Sequence, residues 1–177
     1  EQGRYREAAA LLQDVRLPDE EGPYNRGVVL ANLATTFDEV GDYPRSLQLV
    51  GEARAPFEQA HLDADNQGLR AIGRIEARAL ALNGRTARAI ARLEDLRERA
   101  RRVDGADSGE HANVTWQLAF AHALAGDADA ALPLIDEAER AWRALLPQQH
   151  RNFAYAQRLR ATLLLARGDA DGAEREL

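Results

Sequence analysis

The stretch ANLATTFDEVGDYPRSLQL, residues 31–49, holds the arrangement that the rest of the chain repeats. Apolar residues fall at helical spacing ahead of a glycine, at Leu33, Ala34 and Phe37, with Leu30 just upstream. Gly41 is the residue type that ends a helix in the left-handed conformation, which a Cβ would strain. Asp42 offers a side-chain oxygen for the N-cap of a second helix. The stretch therefore predicts two antiparallel helices joined by a tight turn.

The same glycine recurs in GRYREAAALL from Gly3, GRTARAIARL from Gly84, GDADAALPLI from Gly126 and GDADGAEREL from Gly168. The intervals are 38, 43, 42 and 42 residues, and an aspartate follows at positions 42, 127 and 169. Helices are expected before the glycine over Val28–Val40, Ala71–Asn83, Asn113–Ala125 and Tyr155–Arg167. After it they are expected over Tyr43–Ala60, Thr86–Val103 and Ala128–Leu145, with a partial copy at each chain end. Seven residues before the glycine stands Ala34, Ala77, Ala119 or Ala161; five after it stands Ala8, Ser46, Ala89, Ala131 or Ala173. Small residues at fixed points on paired helices let two backbones approach closely, where bulky ones would hold them apart. Polar, Pro- or Gly-bearing connectors are expected at 17–23, 61–65, 104–110 and 147–149.

These small residues, the glycine and the apolar residue four before it (Phe37, Leu80, Leu164) resemble the tetratricopeptide repeat family. The 42-residue period is similar to the kinesin-light-chain variant rather than the commoner form of about 34 residues. Pro133 falls where that variant often carries a proline. His122 departs from the pattern by replacing the expected aromatic, and the usual proline after the second helix is missing from the first two repeats. The resemblance implies an all-α, right-handed α-solenoid (superhelix) of antiparallel helix pairs. It would be a single repeat domain over 1–177, with a partial repeat at 1–22, repeats at about 23–63, 64–105 and 106–148, and a partial repeat at 149–177. A solenoid needs capped ends. The chain is therefore expected to be part of something longer, or to pair its ends with another chain.

Composition agrees with a globular helical protein. Hydrophobic residues make up 45% and charged residues 29%. Alanine, leucine, arginine and glutamate, which lose little on entering a helix, dominate. Without cysteine there is no disulfide, zinc-thiolate site or thiol nucleophile. Without methionine the chain reads as an excised piece whose true start is unseen. All 23 basic residues are arginine, as a GC-rich bacterial genome would bias them. A net charge of −6 argues against nucleic acid as a partner. No apolar run approaches the ~20 residues that span a membrane, so a cytoplasmic setting is expected for this segment, whatever the parent's attachment.

Catalytic constellations are missing from the pattern. Ser46 falls at a helix-contact position and Ser108 in a loop, and no G-x-S-x-G motif is present. His61, His111, His122 and His150 are scattered without metal-ligand spacing, and no phosphate or dinucleotide loop occurs. His122 is expected to pack in place of an aromatic. The basic run RERARRV, 97–103, ends a helix, where arginine complements the dipole. No enzyme, cofactor or metal is expected.

A peptide groove is the functional expectation. The family resemblance implies that first helices line a concave, ligand-binding face. In the third repeat Thr115, Leu118, Ala119 and His122 should face the partner helix, while Asn113, Trp116, Gln117, Phe120 and Leu124 form the neighbouring stripe. The corresponding stripes elsewhere are Asn32 and Thr35; Arg74 and Arg78; and Tyr155, Arg158 and Thr162. Amides can pair with a peptide backbone, arginine with a carboxylate, and aromatic rings can anchor. The expected partner is a protein or peptide, acidic or carboxylate-ended. Trp116 and Phe120 could instead be buried between repeats. Similar long-period repeats are fused to bacterial serine/threonine kinases, transcriptional regulators and caspase-like proteases. The leading expectation is a binding scaffold or sensor in a kinase-type signalling protein. The rival is a structural homo-oligomerisation segment whose groove another chain fills.

Overall fold

The computed structural model describes residues 22–60, 63 and 65–176, together with Glu7 and Leu11. Most of the first repeat copy, Gly3 and Ala8 included, lies outside the described residues, as do 17–21 and most of the 61–65 connector. Among the described residues there are eight helices and no strand. They are α1 (Gly22–Val40), α2 (Tyr43–Gln59), α3 (Gln67–Leu82), α4 (Thr86–Asp104), α5 (Gly109–Leu124), α6 (Ala128–Leu145), α7 (Arg151–Ala166) and α8 (Ala170–Glu176). Contacts gather them into two compact units, Glu1–Asn83 with α1 to α3 and Gly84–Leu177 with α4 to α8.

The glycine joints have the geometry expected of them. Gly41, Gly84, Gly126 and Gly168 take φ of 85°, 74°, 79° and 82°. At three of them the backbone closes a Schellman turn. The Asp42, Asp127 and Asp169 N–H groups donate to the Phe37, His122 and Leu164 carbonyls at 2.9, 3.0 and 2.9 Å. The same aspartates then cap the next helix, accepting from Arg45, Ala130 and Gly172 N–H at 3.2, 3.0 and 2.8 Å. The arginines that close α4 are Arg101 and Arg102, in its last turn.

The helices that precede each glycine begin earlier than their apolar periodicity suggests. α3, α5 and α7 each start four residues ahead of expectation, and α1 starts six ahead. For α3, α5 and α7 the cause is capping. Asn66, Ser108 and His150 accept from Gly68, His111 and Asn152 N–H at 2.8, 3.1 and 3.3 Å. These three caps are themselves 42 residues apart. A helix starts where its free N–H groups find an acceptor, one turn before the apolar stripe reaches the core.

In the first unit Ala34, Phe37, Leu49, Val50, Ala53, Phe57 and Ile72 form the core of α1, α2 and α3. The Phe57 ring packs directly against glycine backbone. A Cβ at Gly27 would stand 2.3 Å from its ring and one at Gly68 3.0 Å, while Tyr24 meets it edge-on at 5.4 Å. In the second unit Ala119, Ala131, Ile135, Ala138, Trp142, Ala156 and Leu163 form the core, with Trp142 edge-on to Phe153. Every described small-residue position, Ser46 included, is at most 3% exposed. Arg160 ties the last three helices together, with Asp136 at 2.7 Å, Glu139 at 2.9 Å and Glu176 at 3.0 Å.

One charge sits awkwardly in the first unit. The Asp38 carboxylate is enclosed between α1, α2 and α3, with Arg78 Nε at 3.4 Å as its ion-pair partner. Burial pushes its pKa up to about 6, against the lowering effects of the Ser46 hydroxyl and Arg78.

Two outcomes follow for stability. Gly27→Val should lower stability by about 1–3 kcal/mol through overpacking, whereas Gly51→Ala, with open space around its Cβ, should gain up to ~1 kcal/mol from helix propensity. Thermal denaturation of the two variants checks the contrast. For Asp38, the folded pKa of about 6 lies above the ordinary 3.8. Its stabilising contribution is therefore full below that ordinary value and lost as pH rises through about 6. Asp38→Asn should raise the melting temperature at pH ~7.5, by on the order of 1–3 kcal/mol in stability, and change it little below pH ~4.

Candidate peptide-binding face

In the first unit, Asn32 and Thr35 are exposed on α1, and Arg74 and Arg78 are half-buried on α3. Thr35 turns its hydroxyl back on its own helix, donating to the Ala31 carbonyl at 3.2 Å. Arg78 already faces carboxylates, Asp38 at 3.4 Å and Glu39 at 3.5 Å. Its guanidinium links α3 to α1 before any ligand arrives, and Arg74 likewise has a partner within the protein.

The second unit gathers the aromatic part of the set. Trp116 and Phe120, one turn apart on α5, stack with ring centroids 5.8 Å apart and planes 13° from parallel. Tyr155 on α7 meets Trp116 at 6.2 Å, and the Arg158 guanidinium lies 5.6 Å from the Tyr155 ring centre. Tyr155 and Arg158 are exposed, while Trp116 and Phe120 are half-buried. The rings of Trp116 and Phe120 thus belong partly to a seam and partly to a surface: Trp116 also packs on the core of the second unit. Its Nε1 and the Gln117 Oε1 are enclosed, with no hydrogen-bond partner among the described residues. Asn113 is engaged inside the fold, its Oδ1 accepting from the Trp142 indole at 3.1 Å. Thr115, Leu118 and Ala119 are buried as the partner-facing stripe requires, and half-buried His122 replaces the aromatic.

Sequence spacing did not single out two concavities in the second unit. One of about 630 Å³ surrounds Arg160 between α6, α7 and α8. The other, about 520 Å³, lies over Arg97, His111 and Glu137 between α4, α5 and α6. Arg97 and Glu137 sit at different offsets from their glycines, so no recurring signal joins them; only packing does. Among the described residues no group of three or more His, Asp or Glu side chains could hold a metal ion, and no helix is long and apolar enough to cross a membrane.

Solved structures of similar fold span the whole chain. BtubC (BKLC) from P. vanneervenii is 21% identical, with a TM-score of 0.70, over 99% of this chain and 68% of that one. A Podosopora anserina protein described as a kinesin light chain with nearly identical TPR-like repeats is 20% identical, with a TM-score of 0.66, over 98% and 84%. A Rap protein complexed with Competence and Sporulation Factor is 15% identical, with a TM-score of 0.69, over 99% of this chain and 48% of that one. The chain has the fold of TPR-like helical repeats, as its glycine joints and small-residue contacts implied. No protein-family model matches it, and no curated protein does.

The two tryptophans should separate on substitution. Trp142, at 2% exposure, should cost about 3–5 kcal/mol as Trp142→Ala. Trp116→Ala, which removes a half-buried ring, should fall clearly below that range. Urea unfolding of both variants distinguishes a surface-facing Trp116 from a fully structural one.

Proposed function

We propose that this chain is a protein- or peptide-binding scaffold or sensor module, working as one non-catalytic repeat domain of a larger bacterial signalling protein such as a serine/threonine kinase. Its partner is an acidic or carboxylate-ended segment. The observation that carries the reading is the Trp116–Phe120–Tyr155 ring cluster with Arg158 laid over Tyr155. Rings that are half-packed beforehand lose little freedom on binding, and a guanidinium beside them offers a planar fork to a carboxylate. TPR-like neighbours, one of them solved as a complex with Competence and Sporulation Factor, support an interaction role. A cytoplasmic location fits the same reading.

Within the proposed face the roles divide. Trp116, Phe120, Tyr155 and Arg158 would touch the ligand, with Gln117 at their edge. Asn113 and Arg78 would instead hold helices in place through the Trp142 indole and the Asp38 carboxylate. Asn32, Thr35 and Arg74 would be ligand-contacting positions of the first unit, taken by itself.

Fluorescence anisotropy with labelled acidic peptides tests the proposal. Arg158→Glu should weaken binding tenfold or more with the helical circular dichroism unchanged, and raised salt should weaken the wild type in the same direction. Equal affinity in wild type and variant would remove the charge argument. A dilution series by light scattering that shows a concentration-dependent oligomer would favour a groove filled by a second chain.

A further inference from the structure

Where α4, α5 and α6 meet, one arginine joins all three. Arg97 Nη2 donates to both carboxylate oxygens of Glu137 on α6 at 2.7 Å, and its Nε donates to the Thr115 hydroxyl on α5 at 3.0 Å. Thr115 is fully buried. Directly beside this clasp, in the first turn of α5, the His111 ring is 95% enclosed, with Nε2 4.0 Å from the same Glu137 carboxylate. The open cavity over the cluster is completed by Glu94, Glu98 and Arg101 from α4 and by His122 from α5 itself.

The surroundings favour a neutral imidazole. Burial lowers the His111 pKa from its ordinary 6.5 and the Arg97 charge lowers it further, with Arg101 adding to the effect, while Glu137 and a backbone hydrogen bond at Ala106 oppose them. A proton added here places an enclosed cation next to half-buried Arg97, and both then draw on one carboxylate. Glu137 has lone pairs for both, so the tie between α4 and α6 is weakened by the repulsion between imidazolium and guanidinium and by the pull of the imidazolium on a carboxylate that Arg97 already engages through both oxygens.

We propose that His111, enclosed within the Arg97–Thr115–Glu137 clasp, is a proton-operated latch on α5. With His111 neutral the helix is fastened between its two neighbours; with His111 protonated the clasp opens and α5 loosens. Because α5 also carries Trp116, Gln117 and Phe120, mild acid would weaken the proposed peptide face. That functional consequence rests on the reading above, whereas the latch itself does not. The sign follows from linkage: the folded unit resists the proton, so the stability His111 provides is full above about pH 6.5 and declines as pH falls through that value and below.

Amide hydrogen exchange on the whole chain tests this without any ligand. Rates corrected for their intrinsic pH dependence should show residues 109–124 losing protection about tenfold between pH ~7.5 and ~5 in the wild type. In His111→Gln, which cannot take up the proton, protection of the same segment should stay level. An identical pH response in wild type and His111→Gln overturns the latch. So does an imidazole titration by NMR that places His111 at or above its ordinary pKa, a measurement that needs no variant. Loss of peptide binding with intact pH-dependent exchange would instead sink the binding reading and leave the latch standing.

Discussion

The structure depends on how closely two helical backbones can approach. At Ala34 and Ser46, and again at Ala119 and Ala131, the contact side chains are no larger than a methyl or hydroxymethyl group and are fully buried. Bulkier side chains, Phe37, Phe57 and Trp142 among them, fill the two cores at other positions along the same helices. Phe57 extends the same rule with glycine, lying where a Cβ on Gly27 would stand 2.3 Å from its ring. Large rings and bare backbone are matched in this core, as close packing requires.

Repetition made most of this legible in advance. Glycine and aspartate joints need a particular residue at a particular place, so their chemistry shows in the letters: Gly41 with Asp42 and Gly126 with Asp127 could be read directly as turn and cap. The second helices, which start just after the glycine joints, were placed to within a residue or so. The first helices were not, because Asn66, Ser108 and His150 share a role but not a residue type. Periodicity alone cannot see an acceptor that changes identity at each repeat.

The candidate site was legible as a set of positions but not as a set of bonds. Trp116 and Phe120 were placed on the stripe of one helix and Tyr155 and Arg158 on the corresponding stripe of another, and these side chains do come together. Asn113, on the first of those stripes, and Arg78, on the corresponding stripe of α3, spend their polar atoms on Trp142 and Asp38. Which neighbour a flexible side chain chooses depends on distances between helices that no spacing rule contains. The Arg97, His111 and Glu137 cluster was hidden for the same reason: Arg97 and Glu137 are 40 residues apart and on different helices.

The ion pairs share one further property. Arg78, Arg97 and Arg160 supply the cation in the ties that link helices, and the chain contains no lysine at all. Guanidinium groups keep their charge across the whole physiological pH range and are not substrates for the acylation chemistry that neutralises amines. Lysine acetylation and ubiquitin attachment to lysine therefore have no foothold on the electrostatic ties of these repeats. A cell that needed to retune this segment would have to act on its carboxylates, its imidazoles or its hydroxyls, or on whatever it holds.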